Sequence, residues 1–324
     1  MVTEAAPLRI VFFGTPNFAV PSLQEIHASR HPVVAVVTQP DRGRGRGQKS
    51  HPSAVKQFAL EHGLKVLQPE RLRDDLFLES LRALHADLGV VAAYGRILTD
   101  TVLATPRLGL INVHASLLPK YRGAAPIHRA VMAGETESGV TIMRIVKALD
   151  AGPMIAKAAR SIDPDETSIE VENDLARLGA KALVQSVDAI AAGRESETPQ
   201  DDSQATYASK LEKADGVVDW SRSAADIHNQ IRGLHPWPHA FSDLDGERMI
   251  LLRSEVKHGQ DRRPESYGLI LDATADRLDV QTGDGVLRLV TLQREGRRPM
   301  SAREFLAGRR ISAGARFVRA QSSS

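Results

Sequence analysis

A series of short, nearly continuous apolar runs, separated by stretches of helical periodicity, constrains the first half of the chain more than any other feature. The runs fall at residues 8–13, 33–38, 88–93, 111–114, 140–145 and 154–158. Between them, residues 71–86 place Leu72, Leu76, Leu81 and Leu84 near one helical face. Strands that are apolar on both sides need helices over both sides, which is the pattern of a parallel sheet. The expected class is α/β, a doubly wound, Rossmann-like parallel sheet.

The texture then changes. Thr167, Ser168, Ile169 and Glu170 have the form of a capping box, and helical spacing continues to Gly193. Residues 193–206, GRESETPQDDSQAT, are polar, contain a proline and lack periodicity, so they read as a linker. Short apolar runs follow at 249–252, 268–271, 278–281 and 286–292, punctuated by Gly246, Gly268, Gly283 and Gly285. Close turn signals of this kind suggest a small β-barrel. The resulting division is a catalytic domain at 1–192, a linker at 193–206 and a C-terminal domain at 207–324. Trp237, between Pro236 and Pro238, reads as core, and the stretch from about residue 311 as a frayed tail.

Several chemistries drop out. The chain has no cysteine, which removes disulfides, thiolate metal sites and a cysteine nucleophile. Gly14 stands alone where a dinucleotide fingerprint needs three spaced glycines, and no P-loop, H-E-x-x-H or G-x-S-x-G pattern occurs. No metal site is expected. No apolar run approaches the roughly 18–20 residues needed to span a bilayer, and residues 1–7 carry no signal-like pattern. A cytoplasmic chain without membrane association is the expectation.

The net charge of +2 conceals an uneven distribution. Residues 39–49, QPDRGRGRGQK, set Arg42, Arg44, Arg46 and Lys49 against Asp41 alone. Residues 291–324 carry Arg294, Arg297, Arg298, Arg303, Arg309, Arg310, Arg316 and Arg319 against Glu295 and Glu304. Local positive fields attract polyanions even when the whole chain is nearly neutral.

One spacing points to a reaction. Asn112 and His114 are two apart on a strand, so both side chains project to the same side. The strand stops at His114, and open α/β sheets bind ligands beyond the carboxyl ends of their strands. Asp150 follows the next apolar run and can approach the same rim if the two strands are neighbours. Together the three supply a hydrogen-bond donor for an oxyanion, a base and a group that orients the base. None is a strong nucleophile, so attack must come from a substrate, as in direct group transfer.

The segments GTPNFAVPSL (14–23), TQPDRGRGRGQK (38–49), VVAAYGRIL (90–98), INVHASLLPKYRGAAPIHRA (111–130), GVTIMRIVKALDAGPMI (139–155) and TYASKLEKADGVVDW (206–220) occur in that order. The chain thereby resembles the methionyl-tRNA formyltransferases of the formyltetrahydrofolate-dependent transferase superfamily, from about residue 8 to about 310. The resemblance implies transfer of a formyl group from 10-formyltetrahydrofolate to the α-amine of methionyl initiator tRNA. It matches Asn112, His114 and Asp150 to the family's catalytic trio. It assigns folate contacts to Ser116, Leu117, Leu118 and Pro119, with Val90 and Tyr94 walling the pocket. It gives Arg42, Arg44, Arg46 and Lys49 to the tRNA acceptor stem. It makes the C-terminal domain an oligonucleotide-binding type of barrel, with Arg294, Arg297 and Arg298 on its tRNA face. A monomer is the family expectation. The competing reading is a formyltransferase acting on a small amine such as an amino-sugar nucleotide, which has no need of the arginine-rich loop.

Overall fold

The computed structural model describes residues 5–44, 49–257, 264–311 and 314–320. The chain divides into two compact units: residues 1–126, 138–160 and 172–208 form the first, and residues 127–137, 161–171 and 209–324 the second.

The first unit is built on a seven-stranded sheet. From edge to edge it runs Met154–Ser161, Glu137–Arg144, Leu110–His114, Leu88–Ala92, Ile10–Gly14, Val33–Val37 and Val66–Leu67. The five strands from Leu110–His114 to Val66–Leu67 pair in parallel. Ile10–Gly14 and Leu88–Ala92 are buried along their whole length, as strands covered on both faces must be. Val11 and Phe13, two apart, join Ala35 and Val37 in one apolar cluster with Phe77, Leu78 and Leu81 of the helix Asp75–Arg82. That helix is shorter than its periodicity suggests, because Asp74 caps it by accepting a hydrogen bond from the Leu76 N–H. Leu76 consequently faces solvent.

Departures from an all-parallel sheet begin beside Leu110–His114. Its outer neighbour Glu137–Arg144 is antiparallel, with His114 opposite Thr141 and Ile111 opposite Arg144. This register puts Arg144 at the end of the pair remote from His114. Residues 145–153, which carry Asp150, therefore leave the sheet away from His114 and must fold back along it. Gly152 makes the return possible: a Cβ there would stand 1.9 Å from the Arg144 carbonyl oxygen.

Residues 193–206, read above as a linker, are hydrogen-bonded to the first unit. Thr198 and Met154 exchange both backbone hydrogen bonds at 2.8 Å, and Tyr207–Ala208 pairs in parallel with Arg122–Gly123.

In the second unit an antiparallel sheet runs Ile270–Thr274, Arg277–Gln281, Val286–Arg294, Glu247–Lys257, Ala240–Leu244 and Phe317–Val318, with Pro299–Ser301 paired to Val286–Arg294. The ends of this sheet are joined by the Phe317 N–H donating to the Gly268 carbonyl and the Ile270 N–H to the Ala315 carbonyl. The sheet thus curls into a small barrel around Ile227, Leu251, Leu278, Leu287 and Phe317. Residues 314–320 are consequently not a frayed tail. Phe317 is 1% exposed, its ring centroid lies 5.4 Å from that of Trp220, and the Val318 carbonyl accepts from Ser242. A two-residue strand carries too little pattern to be read from sequence. Trp237 is not core either; it is 50% exposed. Half of the expected capping box is present: Glu170 accepts from both the N–H and the hydroxyl of Thr167, at 2.7 and 2.5 Å, as the helix Ser168–Ala191 begins.

Candidate active site

The three expected catalytic side chains come together in the first unit. His114 is 5% exposed. Its Nε2 stands 3.0 Å from the Tyr121 carbonyl oxygen, which can only accept, so that nitrogen carries the proton. Nδ1 faces Asp150 Oδ2 at 3.7 Å. The Asp150 carboxylate is held by the Gly123 N–H, which donates to Oδ2 at 2.8 Å. Oδ1 has no hydrogen-bond partner among the described residues.

Two backbone features make this geometry possible. Asp150 itself sits at φ +46°, in the left-handed region that turns its side chain back toward the sheet. Gly123 is at φ +118°, and a Cβ on it would meet the Ala208 carbonyl oxygen at 2.7 Å. The expected approach of Asp150 to His114 is therefore present, but by a different path: the loop arrives over the sheet from its far end.

Asn112 lies opposite Met143 and beside Val91 in the sheet and is half-buried. Its amide makes no hydrogen bond to any described residue. An amide in this position has its N–H groups available for an incoming oxygen.

The residues matched to a folate pocket divide into two sets. Val90, Tyr94, Ser116 and Leu118 are enclosed by protein. Ser116 donates to the Lys120 carbonyl, and its own carbonyl accepts from Thr141, whose hydroxyl also accepts from the Leu118 N–H. Tyr94 packs edge-on against Phe13, and burial raises the pKa of its phenol. Its carbonyl accepts from Thr15 and Gln39. Val90 lies within the strand Leu88–Ala92 and the other three in the segments that follow strands, and their burial leaves them little free surface. Leu117 and Pro119 are half-buried and keep surface to offer.

The basic segments also differ from a simple flexible loop. Arg42–Arg44 and Lys49–His51 form an antiparallel pair; Arg46 lies outside the described residues. Asp41 is neutralised by Lys56, 2.5 Å away, and that hydrogen bond, with one from Gln68, holds its carboxyl below the ordinary value. The acid therefore does not offset the arginines that follow it. In the second unit, Arg294 is 2.6 Å from Glu247, which also pairs with Arg309. Arg298 approaches Glu304 at 3.5 Å. Arg297 is exposed and has no ion-pair partner among the described residues.

Sequence reasoning missed Tyr121, Arg122, Gly123 and Gln200 as parts of the site. The first three act largely through backbone groups or buried contacts, which carry no residue-type signal. Gln200 lay inside the supposed linker.

A Rossmann-like sheet carrying an amide, an imidazole and a carboxylate on one strand and the loop after its neighbour defines a group-transfer enzyme. Residues 8–187 match the formyl transferase family and residues 210–310 the formyl transferase C-terminal domain, so the chain belongs to the formyl transferase family. It is 47% identical over 309 residues to methionyl-tRNA formyltransferase of Methylococcus capsulatus, covering 94% of this chain and 99% of that protein. Identity to methionyl-tRNA formyltransferase of Stutzerimonas stutzeri is 49%, covering 94% and 96%. Among solved structures, the sugar 3N-formyl transferase WlaRD superposes with a TM-score of 0.66 at 20% identity, covering 90% of this chain and 99% of that one. The N-formyltransferase of Helicobacter canadensis gives 0.67 at 20%, covering 89% and 99%. These two share the fold.

Proposed function

We propose that the chain transfers the formyl group of 10-formyltetrahydrofolate to the free α-amino group of methionyl initiator tRNA. The observation that carries this reading is full-length similarity to methionyl-tRNA formyltransferases at 47–49% identity, against 20% for the sugar-acting structures.

The residues fit such a donor. Asn112 pairs with Met143, which packs against Leu118 of the loop that also holds the half-buried Leu117 and Pro119, and that loop offers an apolar surface to a flat ring. The donor supplies an activated formyl carbon. As the amine attacks it, negative charge grows on the formyl oxygen, and Asn112 donates an N–H to that oxygen. Preorganised donors act most strongly where water is excluded. Asp150 Oδ1 is the free acceptor for a proton from the amine, with the lone pair of His114 Nδ1 beside it; the bond between the formyl carbon and N10 then breaks as the tetrahedral intermediate collapses, and that proton passes to the departing N10. His114 Nε2–H is engaged with Tyr121, so the ring contributes through its Nδ1 side.

The strand pair bearing Arg42, Arg44 and Lys49, together with Arg46, meets phosphates of the acceptor stem. Arg297 and Arg298 add a second positive patch. The enzyme works as a cytoplasmic monomer alongside the translation machinery.

A formyl-transfer assay with initiator methionyl-tRNA, elongator methionyl-tRNA and an amino-sugar nucleotide tests the reading. Preferential formylation of the initiator is expected. Preference for the sugar nucleotide would overturn it.

A further inference from the structure

We propose that Gln200 is a positioning residue for catalysis, stapling together the two loops that hold His114 and Asp150. The proposal rests on the function argued above. Gln200 Nε2 donates to the carbonyls of both Asp150 and Gly152, at 2.8 Å each. Its Oε1 accepts from Arg122 Nε and Nη2, at 3.0 and 2.8 Å. A single amide thus spends its donors on the turn carrying the carboxylate and its acceptor on the loop after His114.

The arginine that it grips is well placed. Arg122 is 3% exposed and lies between the two residues whose backbone groups define the site. The carbonyl of Tyr121 takes the His114 Nε2 proton, and the N–H of Gly123 holds Asp150. Arg122 Nη2 also meets Asp202 at 2.7 Å, so its charge is satisfied from the same segment as Gln200. Tyr121, at φ +60°, and Asp150, at φ +46°, both occupy a region disfavoured for residues with side chains. Conformations of that kind persist only where surrounding contacts over-determine them, and Gln200 contacts both sides, beside the single hydrogen bond from the Gly123 N–H to Asp150 that also joins them. Without it, each loop keeps its fold while the spacing between His114 and Asp150 rests on the Gly123–Asp150 hydrogen bond alone. Misplacement of reacting groups by about 1 Å costs on the order of 10²-fold in rate.

The test uses the full chain with Gln200→Leu, which keeps the bulk and removes every hydrogen bond. Single-turnover formyl transfer should fall roughly 10–100-fold, while KM for folate and for tRNA stays within about threefold. The ring nitrogen signals of His114, read by NMR, should move while the unfolding midpoint changes little. Unchanged ring signals with an unchanged rate, or a rate that falls only in step with the unfolded fraction, would overturn the proposal. Gln204→Leu, on the same segment but with its side chain bonded among the described residues only to Asp201, should behave as wild type; an equal loss there would also overturn it. Should Gln200→Leu not fold, Arg122→Lys removes the paired hydrogen bonds while keeping the charge. It should show the same rate loss and ring shift, and wild-type behaviour would refute the staple. Absence of formyl transfer by the wild-type chain would count against the function alone, because the ring signals still report the positioning.

Discussion

His114 Nδ1 and Asp150 Oδ2 face one another at 3.7 Å, and each is held from elsewhere: the ring by the Tyr121 carbonyl, the carboxylate by the Gly123 N–H. Neither depends on the other for its place. The pair is thus preset before substrate arrives, with a proton site between an imidazole and a carboxylate that retains one free oxygen.

Asp150→Asn keeps the size and the acceptor for Gly123 but removes the charge. Single-turnover transfer should drop roughly 10²–10⁴-fold, the usual range for losing a proton-transfer group. Unfolding should be nearly unaffected. A loss under about tenfold would remove Asp150 from the chemistry.

Asn112→Ala deletes a donor that has no partner among the described residues, so no buried group there is orphaned. Stability should hold, and the chemical step should slow roughly 10²–10³-fold. An effect confined to KM would show ground-state binding instead.

Arg297 and Arg294 should separate in tRNA binding. Arg297 is unpaired among the described residues, whereas Arg294 is offset by Glu247. Arg297→Ala should weaken binding more, and the log–log salt dependence should become shallower by roughly 0.7–0.9 for the lost phosphate contact. Salt titrations of both variants decide this; a reversed ranking would displace the contact.

Glu170 gives stability a defined pH dependence. Partial burial raises its pKa, but hydrogen bonds from Thr167 and Arg253 outweigh that and hold it at about 2, below the ordinary 4.5. The folded value is depressed, so its contribution is complete above about pH 4.5 and disappears as pH falls toward 2. With the side chain 45% exposed, solvent screens the interaction, and the expected size is about 1 kcal/mol, typical of a helix cap. Glu170→Gln should lose that increment at neutral pH and show less acid dependence in denaturant titrations.

Phe317→Ala should destabilise the second unit by about 3–5 kcal/mol, the usual cost of emptying an aromatic core position. A change below about 1 kcal/mol in its unfolding transition would mean that ring closure does not rest on this side chain.

The sequence made Asn112 and His114 legible through period-two spacing on a strand, and Glu170 through its distance from Thr167. Both are local relationships. Asp150 was legible as a residue but not in its route, because parallel and antiparallel neighbours leave similar apolar runs. Gln200 was illegible for the opposite reason: its partners are backbone carbonyls fifty and forty-eight positions away, and a polar, aperiodic segment looks the same whether it is pinned or free. Phe317 failed on length, since two residues of strand set no period.

The antiparallel neighbour of Leu110–His114 has a consequence for how activity arises during refolding. Strands Ile10–Gly14, Val33–Val37, Leu88–Ala92 and Leu110–His114 could assemble and present Asn112 and His114 while Glu137–Arg144 remains undocked. Such an intermediate would be largely native in its sheet and inert, since Asp150 returns over the sheet only after that strand has joined. Recovery of formyl transfer therefore reports completion of the sheet rather than its beginning.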